Sequence, residues 1–213
     1  MKITRFVFNM FGENSYVVFD PDTLDAAVID PGMLQPRENE AIAKYIDDKR
    51  LTVRHIINTH LHLDHVFGVN FIKEKYGVKL AAGAADEPLL ADLNASAAGF
   101  GIHSSFDPVT LDVKLKAGER IYLGKEYLEV ISVPGHTPGG IALYAPESKV
   151  VFTGDSLFEG SVGRTDLPGG DHATLIKSIR ENLLTLPDDT MVLPGHGDAT
   201  TIGREKIANP YLA

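Results

Sequence analysis

Residues 60–65 read His60-Leu61-His62-Leu63-Asp64-His65, which places three of the chain's eight histidines and one carboxylate within six positions. A run this dense is poor core material unless something coordinates it, and imidazole with carboxylate suits zinc, iron or manganese. It follows directly on an apolar, β-branched run at residues 53–58 that reads as a buried strand. The cluster therefore sits at the C-terminal end of a strand, and the fold must bring any further donors to that point. The chain has no cysteine, so disulfides and thiolate sites are excluded and a metal must rest on nitrogen and oxygen.

Three other segments share one design, a β-rich run ending in a polar turn bounded by glycine. They are residues 133–137, 152–156 and 193–197, in which His136, Asp155 and His196 each follow a glycine directly. An absent Cβ lets backbones approach closely there, and the adjoining strand holds the functional side chain rigidly. With the first cluster they make seven donors: His60, His62, Asp64, His65, His136, Asp155 and His196. That is too many for one tetrahedral zinc and suits two divalent ions, zinc first with iron or manganese as alternatives, sharing one carboxylate. In an extended segment His60 and His62 point the same way and can grip one ion, while Asp64 and His65 turn toward a second as the chain enters a helix. Two ions about 3.5–4 Å apart can share a hydroxide at neutral pH, so the chemistry requires no serine or cysteine nucleophile.

The pattern around these segments predicts an α+β fold. Residues 2–8, 15–19 and 26–29 read as strands separated by turns, residues 36–50 as an amphipathic helix, and residues 66–76 as a helix stopped by Gly77. A short strand at 78–82 and a helix at 84–98, with Pro88 near its start, lead into an aperiodic stretch at 99–110 that reads as a loop covering the site. The second half repeats the logic: strands at 120–123, 127–133, 140–144 and 150–153, a helix capped by Asp171 and ended by Pro187, a strand at 191–193, and a terminal helix at 201–209. Two such halves, about 1–110 and 111–213, predict one four-layered domain with sheets face to face and helices outside.

Composition narrows the partners. A formal charge of -9, with 20 basic residues scattered among 29 acidic ones, argues against a nucleic-acid surface. No apolar run approaches the roughly 18 residues of a membrane span. The N-terminus reads as a first strand rather than a signal peptide, which makes the cytoplasm the expected location. Oligomeric state is not legible in the pattern.

The order His-x-His-x-Asp-His, Gly-His, Gly-Asp, Gly-His over nearly the whole chain resembles the metallo-β-lactamase superfamily, whose αββα sandwich matches the two-halves reading. The resemblance implies that His60, His62 and His136 hold one metal, Asp64, His65 and His196 the second, and that Asp155 bridges. Residues 152–171 and the Pro-Gly-His-Gly at 194–197 further resemble the short glyoxalase II-like (hydroxyacylglutathione hydrolase-like) thioesterases. This implies hydrolysis of a small-molecule thioester by a metal-bound hydroxide, with Asp155 and Asp64 as catalytic residues. Arg164 is a candidate to orient a substrate carboxylate through its planar fork, weighed against a structural ion pair with Asp166 or Asp171.

Three features set this chain apart. Full-length glyoxalase II proteins add a helical C-terminal extension that helps bind glutathione, whereas this chain ends soon after His196. Asp155 stands where the best-known β-lactamases place a cysteine. Gly163-Arg164-Thr165-Asp166 also resembles the mononuclear iron persulfide dioxygenases of this fold, the leading alternative, with a non-catalytic metal-stabilised binding protein as a third.

Overall fold

A computed structural model describes residues 1–212; Ala213, the last residue of the expected domain, lies outside the described residues. The opening strands β1 (Lys2–Phe8), β2 (Glu13–Phe19) and β3 (Asp25–Ile29) pair antiparallel. After helix α1 (Pro36–Asp48), β4 (Thr52–Ile57) adds parallel to β3. Helices α2 (Leu63–Val66) and α3 (Val69–Tyr76) lead to β5 (Leu80–Gly83), and α4 (Leu93–Gly99) precedes β6 (Val113–Leu115). These six strands form one sheet in chain order.

The second sheet takes β7 (Arg120–Leu123), β8 (Glu126–Ser132), β9 (Ile141–Ala145) and β10 (Val150–Gly154) as an antiparallel run. A small hairpin, β11 (Leu157–Phe158) with β12 (Ser161–Val162), and helix α5 (His172–Ser178) intervene before β13 (Met191–Pro194). β13 pairs parallel to β10, and β14 (Thr200–Thr201) closes the edge before α6 (Ile202–Ala208). Because β8 and β10 are both antiparallel to β9, and β13 is parallel to β10, the C-terminal ends of β8, β10 and β13 share one edge of the sheet. His136, Asp155 and His196 follow those three ends.

Three apolar cores separate four layers. Between the sheets, Tyr16, Val18 and Ile57 meet Leu128, Leu143 and Phe152, with Tyr16 and Phe152 edge to face at 5.1 Å. The alternate residues Val17, Val28 and Ile56 face Ile42, Ile46 and Ile72 of the helices outside the first sheet. Val133, Val151 and Val192 likewise meet Leu175, Ile179 and Ile202 outside the second. Period-two alternation with both faces covered explains why every residue of β2 is buried.

The expected helix at 84–98 is divided. Residues 84–90 wind as a 3₁₀ helix containing Pro88, and Asp92 then caps α4 by accepting a hydrogen bond from the Ala95 amide at 3.2 Å. Pro88 lacks the N–H that a continuous α-helix would use, and Asp92 satisfies the orphan donors of a new start. Asp171 does cap α5, accepting from the Thr174 amide at 2.7 Å, but the helix widens into a π turn over Ile179–Leu183. β6, β14 and the β11–β12 hairpin were not expected; each has only two or three residues, too few to show an alternating pattern.

Candidate metal centre

The first four donors leave β4 in an extended stretch and enter α2. Asn58 closes this turn, its side-chain amide donating to the carbonyl of His65 at 2.7 Å. Asp30, at the end of β3, accepts from both the Thr59 amide and the Thr59 hydroxyl at 2.7 Å each. The Thr59 carbonyl accepts from the Ile141 amide of the second sheet at 2.8 Å, so the cluster's root is tied to both sheets. In the other half the glycines act as expected: a Cβ on Gly154 (φ +50°) would lie 2.2 Å from Thr59 Oγ1. A Cβ on Gly195 would lie 2.2 Å from Asp155 Oδ1 and 2.7 Å from His65 Cε1, so this position is the floor on which two of the candidate donors rest.

All seven candidate residues converge. Their donor atoms form three overlapping groups, each within 4.8 Å: His60, His62 and His136; Asp64, His65 and His196; and His60, His65 and Asp155. His62 Nδ1 lies 2.9 Å from His136 Nε2, and His196 Nε2 lies 3.2 Å from Asp64 Oδ2. Asp155 reaches both sides, with Oδ1 3.5 Å from His65 Nε2 and Oδ2 3.7 Å from His136 Nε2 and 3.5 Å from His196 Nε2. His55, His103 and His172 belong to none of these groups.

The donor set fits divalent cations on its own chemistry. His60 Nε2, His65 Nε2 and Asp155 Oδ1 are buried without a hydrogen-bond partner in the protein. Leaving such atoms bare costs about 1–3 kcal/mol apiece, so a fold that gathers them must offset that with something bound among them. The outward ring nitrogens, by contrast, are engaged. His136 Nδ1 lies 2.7 Å from the Arg164 carbonyl and His196 Nδ1 3.1 Å from the Phe11 carbonyl. A carbonyl can only accept, so these nitrogens carry the proton and direct the lone pair of Nε2 into the cluster.

Electrostatics divides the cluster into two environments. Burial, reinforced by neighbouring imidazoles, holds His60 well below the usual histidine range and brings His62 down to about 4, so these two imidazoles are kept neutral. On the other side burial also acts to lower His65, but Asp155, Asp64 and Asp30 outweigh it and raise this residue. His196 rises for the same reason, through Asp64 and Asp155. Burial would raise Asp155, and the surrounding histidines, His65 foremost, overcome it and hold the carboxylate ionised.

Several supporting residues were not read from the sequence. Asp86 is fully buried and accepts from the Gly139 amide at 2.5 Å, the Thr137 hydroxyl at 2.8 Å and the Leu61 amide at 3.2 Å. One carboxylate thus joins the turn bearing His60 and His62 to the turn bearing His136. The His196 turn is held from β2: the Tyr16 hydroxyl donates to the Pro194 carbonyl at 2.7 Å, and the Asn14 side-chain amide donates to the Pro194 and Gly197 carbonyls at 3.0 and 2.9 Å. In the pattern Asp86 reads, with the adjacent Glu87, as an ordinary acidic pair at a helix start, and nothing in the sequence sets it apart from its neighbour.

Arg164 forks onto Asp166, with Nε and Nη2 each 2.7 Å from a carboxylate oxygen, while Asp171 serves as the α5 cap. Arg164 also lines a cavity of about 390 Å³ that opens onto His62, Asp64, His136, Asp155 and His196. The wall above the cluster comes from Leu89, Leu93, Ser96 and Phe100. Of the stretch 99–110 expected to cover the site, only Phe100 lines this cavity; Phe106 packs on Phe67 instead, with ring centroids 5.1 Å apart.

This sandwich, with its donor groups at one edge, matches a known class: the chain belongs to the metallo-beta-lactamase superfamily, whose family model matches residues 9–196. Over 214 aligned residues it is 40% identical to the hydroxyacylglutathione hydrolase GloC of Haemophilus influenzae, covering 100% of this chain and 98% of that protein. Among solved structures, the BLEG-1 B3 metallo-beta-lactamase superposes with a TM-score of 0.88 at 33% identity, covering 100% of both chains. TTHA1623 in a di-iron-bound form superposes at 0.87 and 36% identity, covering 98% of this chain and 100% of that one. The described helices include none long and apolar enough to cross a membrane.

Proposed function

We propose that the protein is a metal-dependent thioester hydrolase whose chemistry is glyoxalase II-like (hydroxyacylglutathione hydrolase-like). The observation that carries this reading is the position of Asp155, within 3.7 Å of His136 on one side and 3.5 Å of both His65 and His196 on the other. His60, His62 and His136 would hold one ion and Asp64, His65 and His196 the other, with Asp155 shared. Lewis acidity and a water acidified toward a pKa of roughly 7 are what two such ions, zinc first and iron or manganese as alternatives, supply when bound. The full-length relationship to a hydroxyacylglutathione hydrolase at 40% identity supports a small-molecule thioester substrate. Because both halves contribute donors, the reading treats residues 1–213 as one domain.

The residues of the chain divide the remaining work. Asp155, kept ionised by its histidine neighbours, would be the carboxylate common to both groups of donors and would help orient the attacking water. Asp64, with Oδ2 3.2 Å from His196 Nε2, is placed to hold a proton of that nucleophile. A substrate seated against the apolar walls would displace water from the donors, which would strengthen each of these interactions. In the reaction the water oxygen bonds to the acyl carbon, the C–S bond breaks, and a carboxylate and a thiol leave with release of one proton.

The test is hydrolysis of acyl-glutathione thioesters by the fully metallated protein, followed by loss of absorbance of the thioester bond. Cleavage is expected, and Asp155→Ala is expected to lower its rate by at least about a hundredfold, the scale of removing one major electrostatic stabiliser. Oxygen uptake with glutathione persulfide and no thioester cleavage would replace this reading with an iron dioxygenase. Thermal stabilisation by metal with no turnover of esters, thioesters or lactones would leave a binding protein.

A further inference from the structure

The cavity beside the donor cluster has a one-sided chemistry. Its walls include Phe11, Leu63, Leu89, Leu93, Phe100 and Leu167, whereas Arg164 is the one lysine or arginine among the described residues that line it. That guanidinium is already forked onto Asp166. Glutathione carries two carboxylates and an ammonium, and each would need a partner on being enclosed. A hydroxyacyl group would likewise need one for its hydroxyl, and Ser96 is the one side-chain hydroxyl among the described lining residues.

The apolar wall begins within the cluster itself. Leu63 lies between His62 and Asp64 in sequence and shares the cavity with both. Phe11 presents its ring to the cavity while its carbonyl accepts from His196, and the ring meets Phe100 edge to face at 5.4 Å. Hydrocarbon therefore lies directly beside the donors, within reach of a group attached to the reacting carbon. Phe100 is 48% exposed, an uncovered aromatic ring at the rim of an apolar cavity.

Resting on the thioesterase reading above, we infer that this cavity binds an apolar acyl chain, and that the enzyme prefers thioesters of aliphatic acids to those of short hydroxy acids. Each methylene moved from water into such a site favours binding by about fourfold. The specificity-determining residues are Leu89, Leu93 and Phe100, which form the wall facing the donors.

The experiment measures kcat/KM of the metallated protein for one series of glutathione thioesters, acetyl, lactoyl, butanoyl and hexanoyl, and for hexanoyl thioesters of two unrelated thiols. Hexanoyl is expected to exceed both acetyl and lactoyl by about tenfold or more, with the preference preserved across thiols. Phe100→Ser, at an exposed position, and Leu89→Ser are expected to shrink the hexanoyl-to-acetyl ratio by about threefold or more. A flat series, a lactoyl optimum, or a preference that follows the thiol would overturn the inference while leaving thioester hydrolysis intact. Absence of cleavage across the whole series would instead overturn the thioesterase reading on which it rests.

Discussion

The two halves of the donor cluster are built by opposite strategies. In the first half four donors stand within residues 60–65, and their directions follow from local backbone: an extended stretch sends His60 and His62 one way, and the entry to α2 turns Asp64 and His65 another. In the second half His136, Asp155 and His196 arrive singly at the ends of β8, β10 and β13, so their positions depend on sheet register. A local turn can be right while the sheet is wrong. The second half therefore needs fasteners from elsewhere, and the structure supplies them as Asp86, Asn14 and Tyr16.

The largest expected effect comes from striking the point where the strategies meet. Asp155→Ala should cut turnover by at least about a hundredfold and reduce the metal retained per chain, read by steady-state kinetics and elemental analysis together. An Asp155→Ala protein with full activity would mean that the two donor groups work independently.

Next in size is Asp86→Ala, which strands the Leu61 and Gly139 amides and the Thr137 hydroxyl at once. Stability should fall by about 1–3 kcal/mol in denaturant titrations, and metal affinity should weaken, although Asp86 belongs to none of the donor groups. Asp86→Asn keeps one carbonyl acceptor and is expected to recover part of both losses. Equal metal affinity in wild type and Asp86→Ala would show that the turn at 60–62 and the turn at 136 are set independently of this link.

Gly195→Ala tests the floor of the site, because the added methyl would fall 2.2 Å from Asp155 Oδ1. Crowding of this kind typically costs about 1–3 kcal/mol, and here it should appear as weakened metal binding more than as global unfolding. The smallest effect is expected from Tyr16→Phe, which removes one hydrogen bond to the Pro194 carbonyl and should cost about 1 kcal/mol in thermal or chemical melts.

The same contrast explains what was legible in the sequence. The donors could be read because each carries its own signal, either crowding at 60–65 or a glycine immediately before it at a strand end. The layered α+β architecture could be read because β1 alternates with period two, β2, β3 and β4 carry short apolar runs bounded by turns or helices, and α1 keeps its helical stripe. Asp86 and Asp30 carried no such signal, since their partners are amides and hydroxyls delivered by chain folding rather than by neighbours in sequence. The division of 84–98 was missed because its alanines and leucines favour helix strongly, while the break depends on Pro88 and on the Asp92 cap. Arg164 held two readings in the sequence. Its guanidinium forks onto Asp166 at the wall of the cavity, and its backbone carbonyl, which no sequence pattern reveals, is the part that orients His136.

The central claim is that two differently built halves meet to hold two ions through one shared carboxylate. Elemental analysis of the purified, dialysed protein tests it most directly, with His62→Ala and His196→Ala measured alongside. The account predicts two ions per chain in the wild type and loss of about one in each variant. A single ion in the wild type, kept by His196→Ala and lost by His62→Ala, would contradict it.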